Sequence, residues 1–362
     1  MTDPRILHVV GARPNFMKAA PLIAVLGNAA GVRQALVHTG QHYDANMSDA
    51  FFRQLGLPHP DVNLGVGSGS HARQTAEVMV GLDQYLDEQP ADLVVVYGDV
   101  NSTMAASLVA AKRRVRLAHV EAGLRSGDRS MPEETNRLVT DRLADLLFTP
   151  SEDAVENLLR EGTPHDSIHD VGNIMIDSLV RLLPRTDLAC ARELAGIPGE
   201  MPYVLVTLHR PSNVDDPSQL VGIVGVLREL SERLAVVFPV HPRTRARLQS
   251  TGADLRGIRL CEPLGYLEFL ALQQHASLVI TDSGGIQEET TYLGVQCLTV
   301  RDTTERPVTV TLGTNRLIGT DPARLRVEAG RVLDGERKQG VIPPRWDGRT
   351  AERIADVLLS RA

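Results

Sequence analysis

The chain has 362 residues, of which 43% are hydrophobic and 23% charged, and it carries a formal net charge of -7. That length exceeds what one compact core sustains and points to two domains. The acidic balance argues against general nucleic-acid binding, and no apolar run nears the roughly 18 residues of a membrane span.

Strand 5–10 begins almost at once, with Ile6-Leu7-His8-Val9-Val10, so no signal peptide is expected and the protein reads as cytoplasmic. Further strands are expected at 35–39, 92–97, 115–120 and 146–149. Between them, Val78, Leu82, Tyr85 and Leu86 make a helical stripe over 74–88. A second helix is expected over 151–161, with Ser151 as N-cap and Gly162 as its stop. Strands alternating with helices of this length indicate βαβ units and parallel sheets.

The pattern restarts after the breaker-rich run Ile197-Pro198-Gly199-Glu200-Met201-Pro202, with strands at 203–208, 235–240, 258–261, 277–281 and 296–300. The reading is therefore α/β, with a doubly wound domain over 1–172, a second over 173–348, and a crossover near Gly172-Asn173. A last helix, 349–362, is able to pack back on the first domain. Cys190, Cys261 and Cys297 are far apart and without CxxC spacing, so they read as reduced packing residues. Only Lys18, Lys112 and Lys338 are lysines among the 38 basic residues, which makes each worth inspecting.

Ligands of open α/β sheets bind at the carboxyl ends of strands, so the residues after each strand are the candidates. Strand 5–10 leads into Gly11-Ala12-Arg13-Pro14-Asn15-Phe16-Met17-Lys18, which suits a polyanion at a helix start. Strand 92–97 leads into Gly98-Asp99, strand 115–120 into Glu121, and the next loop into Met131-Pro132-Glu133-Glu134. In the second half, strand 203–208 ends in His209-Arg210-Pro211, and 235–240 in His241-Pro242-Arg243. Strand 277–281 ends in Asp282-Ser283-Gly284-Gly285, where two glycines and a helix N-terminus can receive a phosphate. Glu288-Glu289, one turn on, can accept ribose hydroxyls.

Each candidate has a plainer reading. Asp99 fits an N-cap, Glu133 an i,i+4 pair with Arg137, Glu134 a solvated helix face, and His241 a structural turn. Gly65-Val66-Gly67-Ser68-Gly69 follows no strand and reads as a flexible loop. His165 and His169 have metal-like spacing without a convergent acid, and no metal or organic cofactor is called for. By its local pattern alone, the Gly-Gly turn is equally a tight bend. What favours chemistry is that Asp99, Glu121 and Glu133 fall on one strand-end rim. Clustered carboxylates perturb one another, so one can be protonated while another acts as base.

In this order the motifs resemble those of the UDP-N-acetylglucosamine 2-epimerases, especially the non-hydrolysing bacterial branch. The resemblance spans residues 5–320 and rests on Gly11-Ala12-Arg13-Pro14, Gly98-Asp99, the run from His119 to Arg125, Pro132-Glu133-Glu134, Val171-Gly172-Asn173, His209-Arg210, the run from Thr281 to Glu289, and the run from Arg301 to Pro307. It implies a GT-B fold, two Rossmann-like doubly wound domains facing each other across a cleft. The implied reaction is anti elimination of UDP through a 2-acetamidoglucal, followed by re-addition after C2 is reprotonated on the other face. Carried over by motif position, Asp99, Glu121 and Glu133 are the acid/base carboxylates, with His209 assisting at the diphosphate or leaving oxygen. Arg13, Lys18, Ser283, Gly284, Gly285 and Arg306 hold UDP phosphates, Glu289 the ribose, and Phe269 the uracil. The family also implies a homodimer.

Several positions depart from the family pattern: Asn15 where many members carry an acid, Pro211-Ser212 after His209-Arg210, and Leu264 in place of a glutamine at the uracil. Gln41-His42 is kept, but Tyr43-Asp44-Ala45-Asn46-Met47 differs from the segment that serves the allosteric substrate site. The nearest alternatives are a hydrolysing 2-epimerase that releases ManNAc and UDP, and a 2-epimerase of a modified UDP-hexosamine such as a diacetamido uronate. A GT-B glycosyltransferase is more distant, since it leaves three clustered carboxylates without a purpose.

Overall fold

The computed structural model describes residues 3–41, 52, 54–240 and 242–361. His42, the run from Tyr43 to Met47, and His241 lie outside the described residues. Contacts divide the chain into two units, Met1–Val180 with Pro344–Ala362, and Arg181–Pro343.

The first unit holds β1 (Arg5–Val10), β2 (Arg33–His38), β3 (Val62–Asn63), β4 (Leu93–Tyr97), β5 (Arg116–Val120), β6 (Leu146–Thr149) and β7 (Ile168–Asp170). They form one parallel sheet in the order β3-β2-β1-β4-β5-β6-β7. Its helices are α1 (Arg13–Gly27), α2 (His71–Glu88), α3 (Asn101–Arg113), α4 (Pro132–Leu143), α5 (Glu152–Arg160) and α6 (Ile174–Leu182). Every residue of β4, Leu-Val-Val-Val-Tyr, is buried. A parallel strand covered on both faces favours such β-branched runs over alternation.

The second unit holds β8 (Tyr203–Thr207), β9 (Ala235–Pro239), β10 (Ile258–Cys261), β11 (Leu278–Thr281), β12 (Cys297–Thr299) and β13 (Asn315–Leu317). These are parallel too, in the order β10-β9-β8-β11-β12-β13. Its helices are α7 (Leu188–Leu194), α8 (Pro211–Val214), α9 (Pro217–Leu230), α10 (Pro242–Thr251), α11 (Tyr266–His275), α12 (Gly284–Leu293), α13 (Pro307–Thr311) and α14 (Pro322–Leu333). The core on one face gathers Val204, Val206, Leu227, Phe238 and Ile280.

The chain continues in the first unit beyond the crossover expected at Gly172-Asn173, because α6 is anchored there. Ile174, Ile176 and Leu179 are buried, and Ser178 Oγ donates to the Met17 carbonyl. Asp177 accepts the N–H groups of Thr350 (3.1 Å) and Ala351 (2.7 Å), which begin the last helix, α15 (Thr350–Ser360). α15 lies against α1 in the first unit and buries Ile354, Ala355 and Leu358.

In each sheet the strand order reverses once, between β1 and β4 and between β8 and β11. The crevice outside such a reversal is where open α/β sheets bind ligands. The reversals put Gly11 and Gly98-Asp99 together in one unit, and His209 and Asp282 in the other.

Candidate active site

In the first unit, β4 and β5 pair in register Tyr97↔Val120, so Asp99 and Glu121 follow neighbouring strand ends. Glu121 has φ 75, in the left-handed region that an ordinary side chain avoids at a cost of about 1–3 kcal/mol. The turn is held by the N–H groups of Glu121 (3.1 Å) and Ala122 (3.0 Å), both donated to the Phe148 carbonyl. The Glu121 carboxylate is buried and meets Lys18 Nζ at 2.6 Å. Lys18, expected at a UDP phosphate, is thus engaged by a carboxylate of its own unit. Arg13 opens α1 on the exposed surface.

Asn15 accounts for one departure from the family pattern. Its Oδ1 accepts the N–H groups of Gly11 (3.0 Å) and Ala12 (3.1 Å), while Nδ2 donates to the Tyr97 carbonyl (2.7 Å). A carboxylate at this position can accept the first two but has no donor for the third. The amide therefore ties the β1 and β4 ends together beside Lys18.

α4 is the scaffold of these loops. Glu134, Arg137 and Asp141 recur three and four residues apart and so share one helix face. Arg137 meets Asp99 at 2.5 Å and Glu134 at 2.8 Å. Asp141 takes His119 Nδ1 (2.6 Å), the Gly123 N–H (3.0 Å) and Arg125 (2.7 Å). Burial pushes the Asp141 carboxyl up, but His119 and Arg125 outweigh it and hold the value below the usual range. The other ring nitrogen of His119 faces the Gly98 carbonyl at 2.8 Å.

Two plain readings fail here. Asp99 is not the N-cap of α3, since that position belongs to Val100, and its carboxylate instead receives Arg137. Glu134 is not a solvated residue: it is 4% exposed and accepts from Ser126 N (2.9 Å), Ser126 Oγ (2.9 Å) and Gly127 N (3.1 Å). Burial raises its pKa, and these donors with Arg137 lower it further than burial raises it. Glu133, one residue earlier, is out of phase with that face and half-buried. Among the described residues no hydrogen bond or ion pair engages its carboxylate. In the Gly65-rich loop, Val66 N and Gly67 N donate to the carbonyls of Thr39 and Gly40, and Gln74 Nε2 to that of Gly67.

In the second unit, β8 ends at Thr207 and delivers His209, whose Nδ1 lies 2.8 Å from Asp282 Oδ1. Asp282 is completely buried, yet its pKa is held below the usual range. Burial raises it, and hydrogen bonds from His209, Asn213 and the Arg210 backbone outweigh that. Ser283 is the N-cap of α12, whose first residues are Gly284 and Gly285. A Cβ on Gly284 would lie 2.5 Å from Arg306 Nη1 and 2.8 Å from Glu305 Oε1, so only glycine admits that buried pair.

Arg306 and its neighbours form a charge network behind the turn. Arg306 meets Glu288 at 2.8 Å and Glu305 at 2.5 Å, and Arg301 also meets Glu305 at 2.7 Å. Glu288 is thereby committed to Arg306. Glu289 instead accepts from Tyr266 OH at 2.8 Å. Burial pushes the Glu289 carboxyl up to about 7, against the lowering effect of hydrogen bonds from Tyr266 and Gln273. Phe269, Leu264 and Ile286 are partly buried apolar side chains packed on the core of this unit. A helix N-terminus with an arginine beside it can receive a diphosphate.

The sequence signals led to each strand-end residue, Asp282 included, but gave Asp282 and Arg137 no part in the site and did not point to Asp141, Glu305 or Tyr266.

A sequence model of the UDP-N-acetylglucosamine 2-epimerase family matches residues 25–359. The UDP-N-acetylglucosamine 2-epimerase of Methanocaldococcus jannaschii is 40% identical over 364 residues, covering 97% of each chain. The UDP-2,3-diacetamido-2,3-dideoxy-D-glucuronate 2-epimerase of Pseudomonas aeruginosa is 40% identical over 357 residues, covering 98% of this chain and 99% of that one. Among solved structures, the M. jannaschii enzyme in complex with UDP-GlcNAc and UDP superposes with a TM-score of 0.90, at 39% identity over 98% of this chain and 99% of that one. The expected fold class, α/β of GT-B type with two Rossmann-like units, is borne out.

Proposed function

We propose that this chain, which belongs to the UDP-N-acetylglucosamine 2-epimerase family, inverts C2 of UDP-N-acetylglucosamine to give UDP-N-acetylmannosamine. The proton on C2 of such a sugar is not acidic. Breaking the anomeric C1–O bond lends the sugar oxocarbenium character, and the bond's electron pair leaves on the β-phosphate oxygen of UDP. A carboxylate removes the C2 proton, and C1 and C2 become the double bond of a 2-acetamidoglucal. A second carboxyl group returns a proton to the opposite face of C2, and the phosphate oxygen rebonds to C1. Atoms and charge balance, and no oxidation is involved.

The roles follow the site as described. Asp99, Glu121 and Glu133 are the acid/base carboxylates, which Arg137 and Lys18 support by holding the first two in place. Ser283, Gly284 and Gly285 present the α12 N-terminus to the diphosphate, with Arg306 as its cation, and Arg13 keeps the phosphate role that the family resemblance implies. Lys18 reaches phosphate only through a proton not already given to Glu121. Glu289 takes the ribose hydroxyls, Phe269 flanks the uracil, and His209 serves the leaving oxygen. The observation that carries the reading is the placing of Asp99 and Glu121 on neighbouring strand ends, each carboxylate held by a cation.

The test is incubation with UDP-GlcNAc in D₂O, followed by NMR. Deuterium at C2 in a mixture of UDP-GlcNAc and UDP-ManNAc is the expected result, whereas free ManNAc with equal UDP marks the hydrolysing reaction. Absence of exchange with this sugar and exchange with a UDP-diacetamido uronate selects the second reading, which the relative in P. aeruginosa favours. Asp99→Asn and Glu133→Gln each abolish exchange while UDP binding survives; retained exchange in both removes the acid/base assignment. The reading carries with it a homodimer, as the family resemblance implies, and light scattering checks it.

A further inference from the structure

We propose that Asp282 is a positioning residue for this reaction, fixing His209 as the Nδ1–H tautomer so that Nε2 is the ring atom that meets substrate. The consequence for catalysis rests on the epimerase reading, while the tautomer rests on geometry alone. The Asp282 carboxylate is wholly buried and aims Oδ1 at His209 Nδ1 from 2.8 Å. Its Oδ2 receives the N–H groups of His209 (3.0 Å) and Arg210 (2.9 Å) and the amide of Asn213 (3.0 Å). An ionised carboxylate only accepts, so the ring nitrogen facing it carries the hydrogen. A neutral imidazole has one such hydrogen, which leaves the lone pair on Nε2.

The surroundings make this orientation rigid. Asn213 is itself fully buried and bridges Asp282 to the Val300 carbonyl at 3.0 Å. Arg210 Nε donates to the Asp282 carbonyl at 3.0 Å, so side chain and backbone of Asp282 both hold the loop after β8. The His209 side chain is 58% exposed while its Nδ1 edge faces a buried group, so the exposure falls on the Nε2 edge. Burial raises the pKa of Asp282, and hydrogen bonds from His209, Asn213 and the Arg210 backbone, with the attraction of His209, outweigh it and lower the value. Its negative charge then offsets the imidazolium formed whenever Nε2 takes up a proton. Asp282 also directly precedes Ser283 and α12, so one residue sets both the ring and the phosphate-binding turn in a common frame.

Nitrogen-15 NMR of the ligand-free, full-length protein decides the tautomer, with the His209 signals assigned by their loss in His209→Gln. At mildly alkaline pH the wild type is expected to show a protonated Nδ1 and an unprotonated Nε2. A dominant Nε2–H ring overturns the inference without any variant. In Asp282→Asn the Nδ1–H fraction is expected to fall, and kcat to drop on the order of 100-fold while KM moves far less. A folded Asp282→Asn protein with wild-type kcat overturns the positioning role. Where that variant does not fold, Asn213→Ala replaces it, with mixed tautomers and a smaller loss of kcat expected. A wild type with the expected tautomer but without C2 exchange on any UDP-hexosamine counts against the epimerase reading, and the spectrum still upholds the tautomer.

Discussion

Glu289 is the residue whose ionisation bears most directly on ligand binding. Its carboxyl is pushed up to about 7 by burial, with hydrogen bonds from Tyr266 and Gln273 opposing. Below that value the ligand-free group is protonated, and one oxygen is then spent on a hydrogen instead of accepting from ribose. UDP affinity is therefore expected to rise as pH climbs through about 7 and to level off above it. Below it, the binding-competent fraction falls by about tenfold per pH unit. Calorimetry of UDP binding to wild type and Glu289→Gln across that window isolates the effect, because titration of the nucleotide itself is common to both. Parallel pH profiles for the two proteins would remove the ribose assignment.

At the scale of elements, the site is made of strand ends held by helices that come from elsewhere in the chain. Gly123 shows how tightly: it has φ 83, and a Cβ there would lie 2.4 Å from the Ala154 carbonyl in α5. Gly123→Ala is expected to cost about 1–3 kcal/mol from the left-handed backbone alone, more with the clash, and to move the Glu121 turn. A lower melting temperature together with slower C2 exchange checks both effects. The cap of α15 gives a pH signature. Asp177 is raised from 3.8 to about 6 by burial, against hydrogen bonds from Ala351 and Thr350. The folded state thus holds this proton more tightly than the unfolded state does. Its contribution to stability is full below 3.8 and is lost as pH rises through about 6. Urea unfolding of wild type against Asp177→Asn should show the wild type losing ground to the variant across that window; a constant difference would refute it. The strand ends were legible because each apolar run stops abruptly at polar residues, as at Ile280-Thr281-Asp282. Their partners were not, because Asp99 and Arg137 are 38 residues apart and His209 and Asp282 are 73 apart, beyond any periodicity. Glu133 and Glu134 have the same composition and nearly the same spacing, and only helical phase against Arg137 and Asp141 separates them. β3, β7 and β13 were missed because they are short and carry polar residues (Asn63, His169, Asp170, Asn315 and Arg316) in place of an apolar run.

For the whole molecule, the two units differ in how the chain builds them. The second is one continuous stretch, Arg181–Pro343, with its own sheet and core. The first needs the returning segment Pro344–Ala362, which brings Trp346 and α15. Trp346 is buried at 2% exposure, and its indole N–H donates to the Pro150 carbonyl at 2.9 Å. Arg353 donates to the Val171 carbonyl at 3.0 Å, tying the same segment to the end of β7. Loss of a buried tryptophan alone costs about 3–5 kcal/mol, a large share of the roughly 5–15 kcal/mol that stabilises a typical domain. A chain ending at Pro343 is therefore expected to lose the first unit, and with it Asp99, Glu121 and Glu133, while the second unit remains folded. Residues 181–343 expressed alone should unfold cooperatively in urea and still bind UDP weakly through the α12 turn. Full amide protection of β4 and β5 in the truncated chain would show that the first unit closes without its returning segment. Such a result would leave Trp346 and Asp177 as surface fittings of that unit and not as parts of its core.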